Sequence, residues 1–494
     1  MQFKTFALTV LTASLTAVVG TPAVQAASLT TIVDGISNAR GANFGPDGTL
    51  YVGEPGIGGN GNCQPSPSTL FQPICAGNTG SVVKVTPDGQ ETRIFSNFQS
   101  LAEQPSGNQG AGPQELKFDS QGNAYLLTGF AGYPGNRDVE LNTLGNSFSL
   151  PPEQLATFPP SPPDQVLNTP NLAKLFKADL ATEQLTEIFD FGRYEIINNA
   201  DGQDVVTNPY DFAISGNTAY VVDGGGNAVY KVNLDGSGGT AIPLPKKLIN
   251  NPAFPPLPPG AELPPGLVEI PGGTASTTTD TALPGLAVTP PDAAGGPSGQ
   301  PPAGPPGVPP QILIQSVPTG GAIGPDGALY VGEYSGFPYP EGEARIFRIG
   351  EDNTPTVFAD GFTHITDLTF DKDGNLLVLQ FSDVAQWKGD ITDLPGSLIR
   401  MAPDGTRTTL VAAGEGLVSA DGVTIGPDDA IYVTVRGVGP ELGSVIRVDE
   451  SEAVPEPTAM LGLLAAGAVG GGAMLKRKRK QLLDEVKFAN NLDD

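Results

Sequence analysis

The sequence predicts an all-β chain, a six-bladed β-propeller, on three observations. A turn-and-strand signature recurs six times, each copy is followed by a second alternating strand, and a spare strand stands before the first copy. The copies read FGPDGTLYVGE (Phe44–Glu54), FDSQGNAYLLT (Phe118–Thr128), ISGNTAYVVD (Ile214–Asp223), IGPDGALYVGE (Ile323–Glu333), FDKDGNLLVLQ (Phe370–Gln380) and IGPDDAIYVTV (Ile425–Val435). In each, an apolar residue leads into a Gly/Pro/Asp/Asn turn, and a β-branched, aromatic run follows. Pro presets φ for the first central turn position and Gly closes the turn without steric cost, so each unit reads as a hairpin. Six such units at long period point to radial repetition of small sheets.

The second strands follow in order: SVVKVTPDG from Ser81, AKLFKADL from Ala173, AVYKVNLDG from Ala228, ARIFRIG from Ala344, SLIRMAPDG from Ser397 and SVIRVDE from Ser444. Their alternation buries one face against a neighbouring blade. Short outer strands such as ETRIF, QLTEIF, TPTVFADG and RTTLVAAG come next, but the last unit has none. LTTIVDG (Leu29–Gly35), ahead of the first unit, therefore completes the sixth blade and closes the ring without an open edge. An open solenoid would carry distinct caps at both ends instead. Insertions widen the first three intervals. The largest, Pro243–Pro310, holds twenty of the 49 prolines and reads as a flexible loop, because it cannot bury enough apolar surface to offset its ordering entropy.

The ends carry addresses. Residues 1–26 have a Lys4 n-region, the apolar run FALTVLTASLTAVV and the small-residue site Val24-Gln25-Ala26, the pattern of a cleaved secretory leader. The propeller then occupies 27–453. At the other end Pro455-Glu456-Pro457 precedes an 18-residue apolar run, Thr458–Leu475, and the basic cluster Lys476–Lys480, with a polar tail over 481–494. Read physically, 454–480 is a membrane segment with its cations on the cytoplasmic side. The whole chain carries 26 Lys and Arg against 53 Asp and Glu, a net charge of −27. That balance excludes nucleic acid as a partner, since binding it needs clustered cations. Cys63 and Cys75, the only cysteines, lie in one Gly/Pro-rich loop of an exported chain, which favours a disulfide over a metal pair.

Three residues after each Tyr or Leu of the signature stand Glu54, Thr128, Asp223, Glu333, Gln380 and Val435. In a closed ring these equivalent positions are expected to converge at one end of the channel and bind a ligand there. Glu54, Asp223 and Glu333 supply hard carboxylate oxygens, which suit Ca²⁺ or a similar cation; ordinary channel polarity with bound water is the structural alternative. Glu115, Asp211 and Asp367 precede the signature strands and are placed at a channel entrance, where an acid–base pair among them is conceivable. Asp47, Asp88, Asp326 and Asp404 read as turn residues. The lone His364 can form no histidine cluster, and no GxSxG, Walker A, HExxH or EF-hand pattern is present.

The stretches YVGEPGIGGNGNC with CAGNTGSVVKVTPDG, YVGEYSGFPYPEGEARIFRIG and SVPTGGAIGPDGALYVGE resemble the ScyD/ScyE family, over about residues 29 to 450. That resemblance implies a secreted cyanobacterial, NHL-like six-bladed propeller and supplies no catalytic residue. The order Pro-Glu-Pro, apolar run, basic cluster resembles the PEP-CTERM sorting signal, which implies an exosortase-type protease as partner and transient anchoring in the inner membrane. Two functional readings follow. One is a cell-surface or matrix binding propeller for polysaccharide or a small aromatic ligand, linked to scytonemin or exopolysaccharide assembly. The other is a divalent-cation-dependent lactonase or esterase propeller using Glu54, Asp223 and Glu333, with His364 as a further candidate.

Overall fold

A computed structural model of the chain describes residues 27–66, 69, 72–148, 160–250 and 311–450. The leader, residues 251–310 and everything from 451 onward, including the Pro455-Glu456-Pro457 motif and the Thr458–Leu475 run, lie outside the described residues.

The described chain is a six-bladed β-propeller. Blade 1 runs outward through Ala42–Phe44, Leu50–Glu54, Pro73–Val85 and Glu91–Glu103. Blade 2 comprises Pro113–Phe118, Ala124–Thr128, Lys174–Asp179 and Gln184–Asp190, and blade 3 Pro209–Ser215, Thr218–Asp223, Ala228–Asn233 and Gly239–Pro243. Blade 4 has Pro318–Ile323, Leu329–Glu333, Ala344–Ile349 and Pro355–Phe362, and blade 5 Ile365–Phe370, Leu376–Gln380, Ser397–Met401 and Arg407–Val411. Blade 6 takes Val423–Ile425, Ile431–Val435 and Gly443–Asp449 from the C-terminal side and Ser28–Ile36 from the N-terminal side. That last strand pairs antiparallel with Gly443–Asp449, Leu29 opposite Val448, and so closes the ring. Each blade's first strand lies against the first strand of the next blade, and the sixth against the first, so these six line the channel.

The recurring residues have a packing reason. The signature tyrosine of one blade packs on the signature phenylalanine of the next: Tyr51 on Phe118 at 5.4 Å, Tyr330 on Phe370 at 5.0 Å and Tyr432 on Phe44 at 4.9 Å between ring centres. Asp47, Asp326 and Asp404 cap their turns by accepting the N–H of Thr49, Ala328 and Thr406. Apolar layers then fill the spaces between blades, Leu50, Val52 and Val83 of blade 1 packing with Val445 of blade 6.

Two insertions carry structure that periodicity did not show. Helix α1 (Val139–Phe148) lies in an insertion between the second and third strands of blade 2, and α2 (Phe191–Asn198) leads from blade 2 to blade 3; the two are tied by the fully buried Arg137, whose guanidinium pairs with Asp190 at 2.7 and 2.8 Å. The proline-rich segment is also not wholly a loop. Lys247–Asn250 pairs with Gln311–Ile314, because Ile249, Ile312 and Ile314 bury one face of that ribbon with Phe337 beside them. Cys63 and Cys75 face each other across two strands and are joined by a disulfide. Among the described residues no helix is long and apolar enough to cross a membrane.

Candidate functional site

The channel's shape starts from one irregularity repeated in every blade. Where the innermost strand begins, one extra residue opposes the second strand. It is Gln114 between Pro113 and Glu115, Tyr210 between Pro209 and Asp211, Thr319 between Pro318 and Gly320, and Thr366 between Ile365 and Asp367. Arg40 and Asp421 take the same place in blades 1 and 6, where Gly53 bonds to both Arg40 and Gly41, and Thr434 to both Asp421 and Gly422. A bulge re-aims the side chain of its extra residue. Four of these six, Arg40, Gln114, Tyr210 and Thr319, line a cavity of about 130 Å³ at that end of the channel.

The bulge residues also bond to one another across the ring. Arg40 Nη1 lies 2.8 Å from Asp421 Oδ2, its guanidinium sits 5.5 Å from the Tyr210 ring centre, and the Tyr210 hydroxyl donates to Asp421 Oδ1. Two carbonyls, Gly437 and Gly110, accept from Arg40 Nη1 and Nη2 at 2.7 and 3.0 Å, while its Nε is buried without a hydrogen-bond partner. Burial works against the Arg40 charge, but Asp421 and Tyr210 together more than offset it and the guanidinium stays protonated. Thr319 and Thr366 donate to the carbonyls of Ile365 and Ala420 in the following blades, at 2.5 and 3.0 Å.

One residue further in, three acids and three glycines share the layer, in blade order Gly41, Glu115, Asp211, Gly320, Asp367 and Gly422. Lys117 reaches into this layer. Its Nζ lies 2.6 Å from Asp211 Oδ1, 3.1 Å from Glu115 Oε1 and 2.6 Å from the Phe212 carbonyl. Asp211 Oδ2 accepts the Gly321 N–H at 2.7 Å and Asp367 Oδ2 the Val423 N–H at 2.7 Å, so the cluster spans blades 2 to 6. The glycines make the room, since a Cβ on Gly41 would lie 2.5 Å from the Glu115 carboxyl. Burial, reinforced by the charge of Asp211, pushes the Glu115 and Asp367 carboxyls well above their ordinary range. Sequence reasoning found these three acids but set them at an entrance and missed Lys117. They sit inside the channel, on its innermost strands.

The signature acids are placed differently from their expected convergence. They stand on the second strand of each blade, and each is engaged locally. Glu54 accepts from Ser37 N at 3.0 Å, from the Ser81 hydroxyl, and from Arg93 Nε at 2.7 Å. Glu333 accepts from the Ser316 hydroxyl at 2.7 Å and from Arg345 Nε at 2.6 Å. Asp223 takes the Thr207 hydroxyl at 2.5 Å and the backbone N–H groups of Asn208, Gly225 and Gly226. Thr128 donates to the Asn171 carbonyl at 2.8 Å, and Gln380 to Asp383 Oδ1 at 2.6 Å. These contacts tie loops to strands within or beside one blade. The three carboxylates therefore do not fit a shared Ca²⁺, and among the described residues no group of three or more His, Cys, Asp or Glu gathers to hold a metal ion.

His364 is fully buried behind the cavity wall, against two residues that line it. Its ring stacks on Tyr334 at 4.5 Å and 16°, its Nε2 lies 3.1 Å from the Tyr339 carbonyl, and its own carbonyl accepts the Phe381 N–H at 2.8 Å. A carbonyl can only accept, so Nε2 carries the proton, and Nδ1 is buried without a partner. The backbone holds φ at +45°, a left-handed conformation shared with Val317 at +52° and Ser419 at +42° at the equivalent place two residues before the bulge. Burial pushes the His364 pKa down from 6.5 to about 4. Between those values the unfolded chain binds a proton that the folded chain refuses. The histidine's contribution is thus full above pH 6.5 and is lost as pH falls to about 4, on the order of 3 kcal/mol. The melting-temperature gap between the native chain and His364→Gln is therefore expected to shrink from pH 7 to pH 4. A gap constant with pH would contradict this placement.

No family model matches the sequence, and no curated protein matches it. Solved structures do. A gluconolactonase from Xanthomonas campestris superposes with TM-score 0.41 at 11% identity, covering 85% of this chain and 90% of that one. A glucose dehydrogenase gives 0.42 at 12% identity, covering 86% and 100%. The PQQ-bound aldose sugar dehydrogenase from Streptomyces coelicolor gives 0.39 at 11%, covering 87% and 100%.

Proposed function

We propose that this protein is an exported binding propeller whose channel-end cavity takes a small ligand at the cell surface or in the extracellular matrix. The observation that supports it is the ring of bulges, which presents Arg40, Gln114, Tyr210 and Thr319 to one cavity. The Arg40–Asp421 pair makes the floor rigid and neutral, a pre-organised base for recognition. In this reading residues 1–26 direct export, and an exosortase-type protease acts near Pro455-Glu456-Pro457 and frees the propeller from its membrane segment. Assembly of exopolysaccharide matrix, or of scytonemin in an organism that makes it, is the process this placement would serve.

A hydrolytic reading keeps a place because Glu115 and Asp211 form an acid–base pair directly beneath Gln114. A protonated Glu115 is suited to give a proton to a leaving oxygen. The two readings part on turnover. With an aryl ester and a sugar lactone as substrates, the binding reading expects no release above the buffer rate. Turnover that vanishes in Glu115→Gln would establish hydrolysis on the channel pair. Loss with chelator and in Glu54→Ala and Glu333→Ala would place it on a metal at the signature acids.

A further inference from the structure

We infer that the cavity's ligand is a single uncharged, polyhydroxylated ring, a monosaccharide or the terminal residue of a neutral glycan; this rests on the binding reading above. The walls differ by side. Blades 4 and 5 supply an aromatic wall, Tyr334, Tyr339 and Phe381, while the elements entering blades 2 and 3 supply an amide wall, Gln109, Gln114 and Asn208. The aromatic wall is stiffened from behind by the His364 stack and hydrogen bonds, so it offers a fixed flat face. A pyranose ring has the matching duality: C–H groups over its face and hydroxyls around its edge.

The polar groups left to a ligand are both donors and acceptors. Asn208 uses its Oδ1 on the Phe130 N–H at 3.3 Å, and Gln386 uses its Oε1 on the Tyr334 hydroxyl at 3.3 Å, which leaves the NH₂ of each to donate. Gln114 Oε1 is buried without a partner and can accept after a small side-chain rotation. Hydroxyls serve both kinds of partner, whereas a bare aromatic ring would leave the amides unmet. Charge selects in the same direction. Arg40 is neutralised by Asp421, and burial keeps the Tyr334 and Tyr339 hydroxyls protonated, Tyr339 up to about 12. No Asp or Glu is among the described lining residues, so neither a metal ion nor an ammonium finds a counter-charge in the wall. Size agrees as well. One water needs roughly 10–15 Å³ of such space, so 130 Å³ holds on the order of ten non-hydrogen atoms, one substituted six-membered ring.

The test titrates the full-length protein, by calorimetry or ligand-observed NMR, with the methyl glycosides of glucose, galactose and mannose, with phenol, with tetramethylammonium, and with a neutral polysaccharide. At least one glycoside is expected to bind, about tenfold more tightly than phenol or tetramethylammonium. Tyr334→Ala should weaken it tenfold or more, and Gln386→Ala, at the cavity rim, about fivefold. The rim variant carries the test if the tyrosine variant does not fold. Polysaccharide binding that exceeds the glycoside's identifies a glycan end as the source, and equal or weaker binding a free sugar; both support the inference. Preference for phenol or tetramethylammonium, abolished by either variant, overturns the ligand class and leaves the site standing. Insensitivity of every probe to both variants overturns the site as well.

Discussion

Replacing Lys117 with methionine is expected to lower the unfolding free energy by about 3–5 kcal/mol, the cost of stripping a buried carboxylate of its partner. Asp211 would lose its ammonium at 2.6 Å and keep only backbone donors and the Glu115 carboxyl, with Asp367 in the same channel layer. Glu115→Gln should cost far less, about 1 kcal/mol or under, because that carboxyl already holds its proton. The pair also has a pH signature. Glu115 and Asp367 keep protons above their unfolded values of 4.5 and 3.8. The folded state binds more protons there, so their contribution is full below those values and falls as pH rises through the folded ones. Glu115→Gln should therefore flatten the alkaline decline in melting temperature, and Lys117→Met should steepen it. Urea unfolding at pH 6 and pH 9 decides both points. A Lys117→Met variant within 1 kcal/mol of the native chain would show that the channel tolerates its acids without a cation.

The second large effect contrasts two glycines in identical LYVGE strands. Gly53→Ala is expected to cost about 3 kcal/mol or more, at the upper end for overpacking. Its Cβ would lie 2.0 Å from the Gln114 carbonyl oxygen and 2.9 Å from that of Pro113, backbone atoms that cannot move without shifting the blade 2 bulge. Gly332→Ala meets the Ile365 side-chain methyl at 2.5 Å instead, which can yield in part, so about 1–2 kcal/mol is expected. Gly53→Ala should also disturb the cavity floor, because Gly53 bonds to Arg40 and Gly41. Equal costs at the two positions would mean that the blade 1–2 contact is as compliant as the one between blades 4 and 5.

That contrast marks the boundary between what local sequence encodes and what the closed ring adds. The six blades were legible because turn chemistry and two-residue alternation are local. A Pro-Asp-Gly turn and a β-branched run dictate a hairpin wherever they occur. Ring closure was legible by counting, since the sixth unit lacked the outer strand that Ser28–Ile36 supplies. The site was half legible. Glu115, Asp211 and Asp367 drew notice as acids at equivalent places, but the tyrosine strand passed for the innermost one, so Glu54, Asp223 and Glu333 were expected in the channel. Register explains the error. The pleat alone does not say which hairpin strand faces the axis, and one bulge residue per blade shifts every side chain that follows it.

By itself, then, the sequence determined the number of blades, their order and the turn caps, set by neighbours a few residues apart, and through the count of strands the closing strand. Tertiary structure alone decided that Arg40 meets Asp421 across 381 positions, that Lys117 bridges two blades, and that His364 braces Tyr334 and Tyr339. Those contacts join neighbouring blades of the ring. Their partners are chosen by the geometry of a closed ring, in which six first strands share one axis however far apart they lie in the chain.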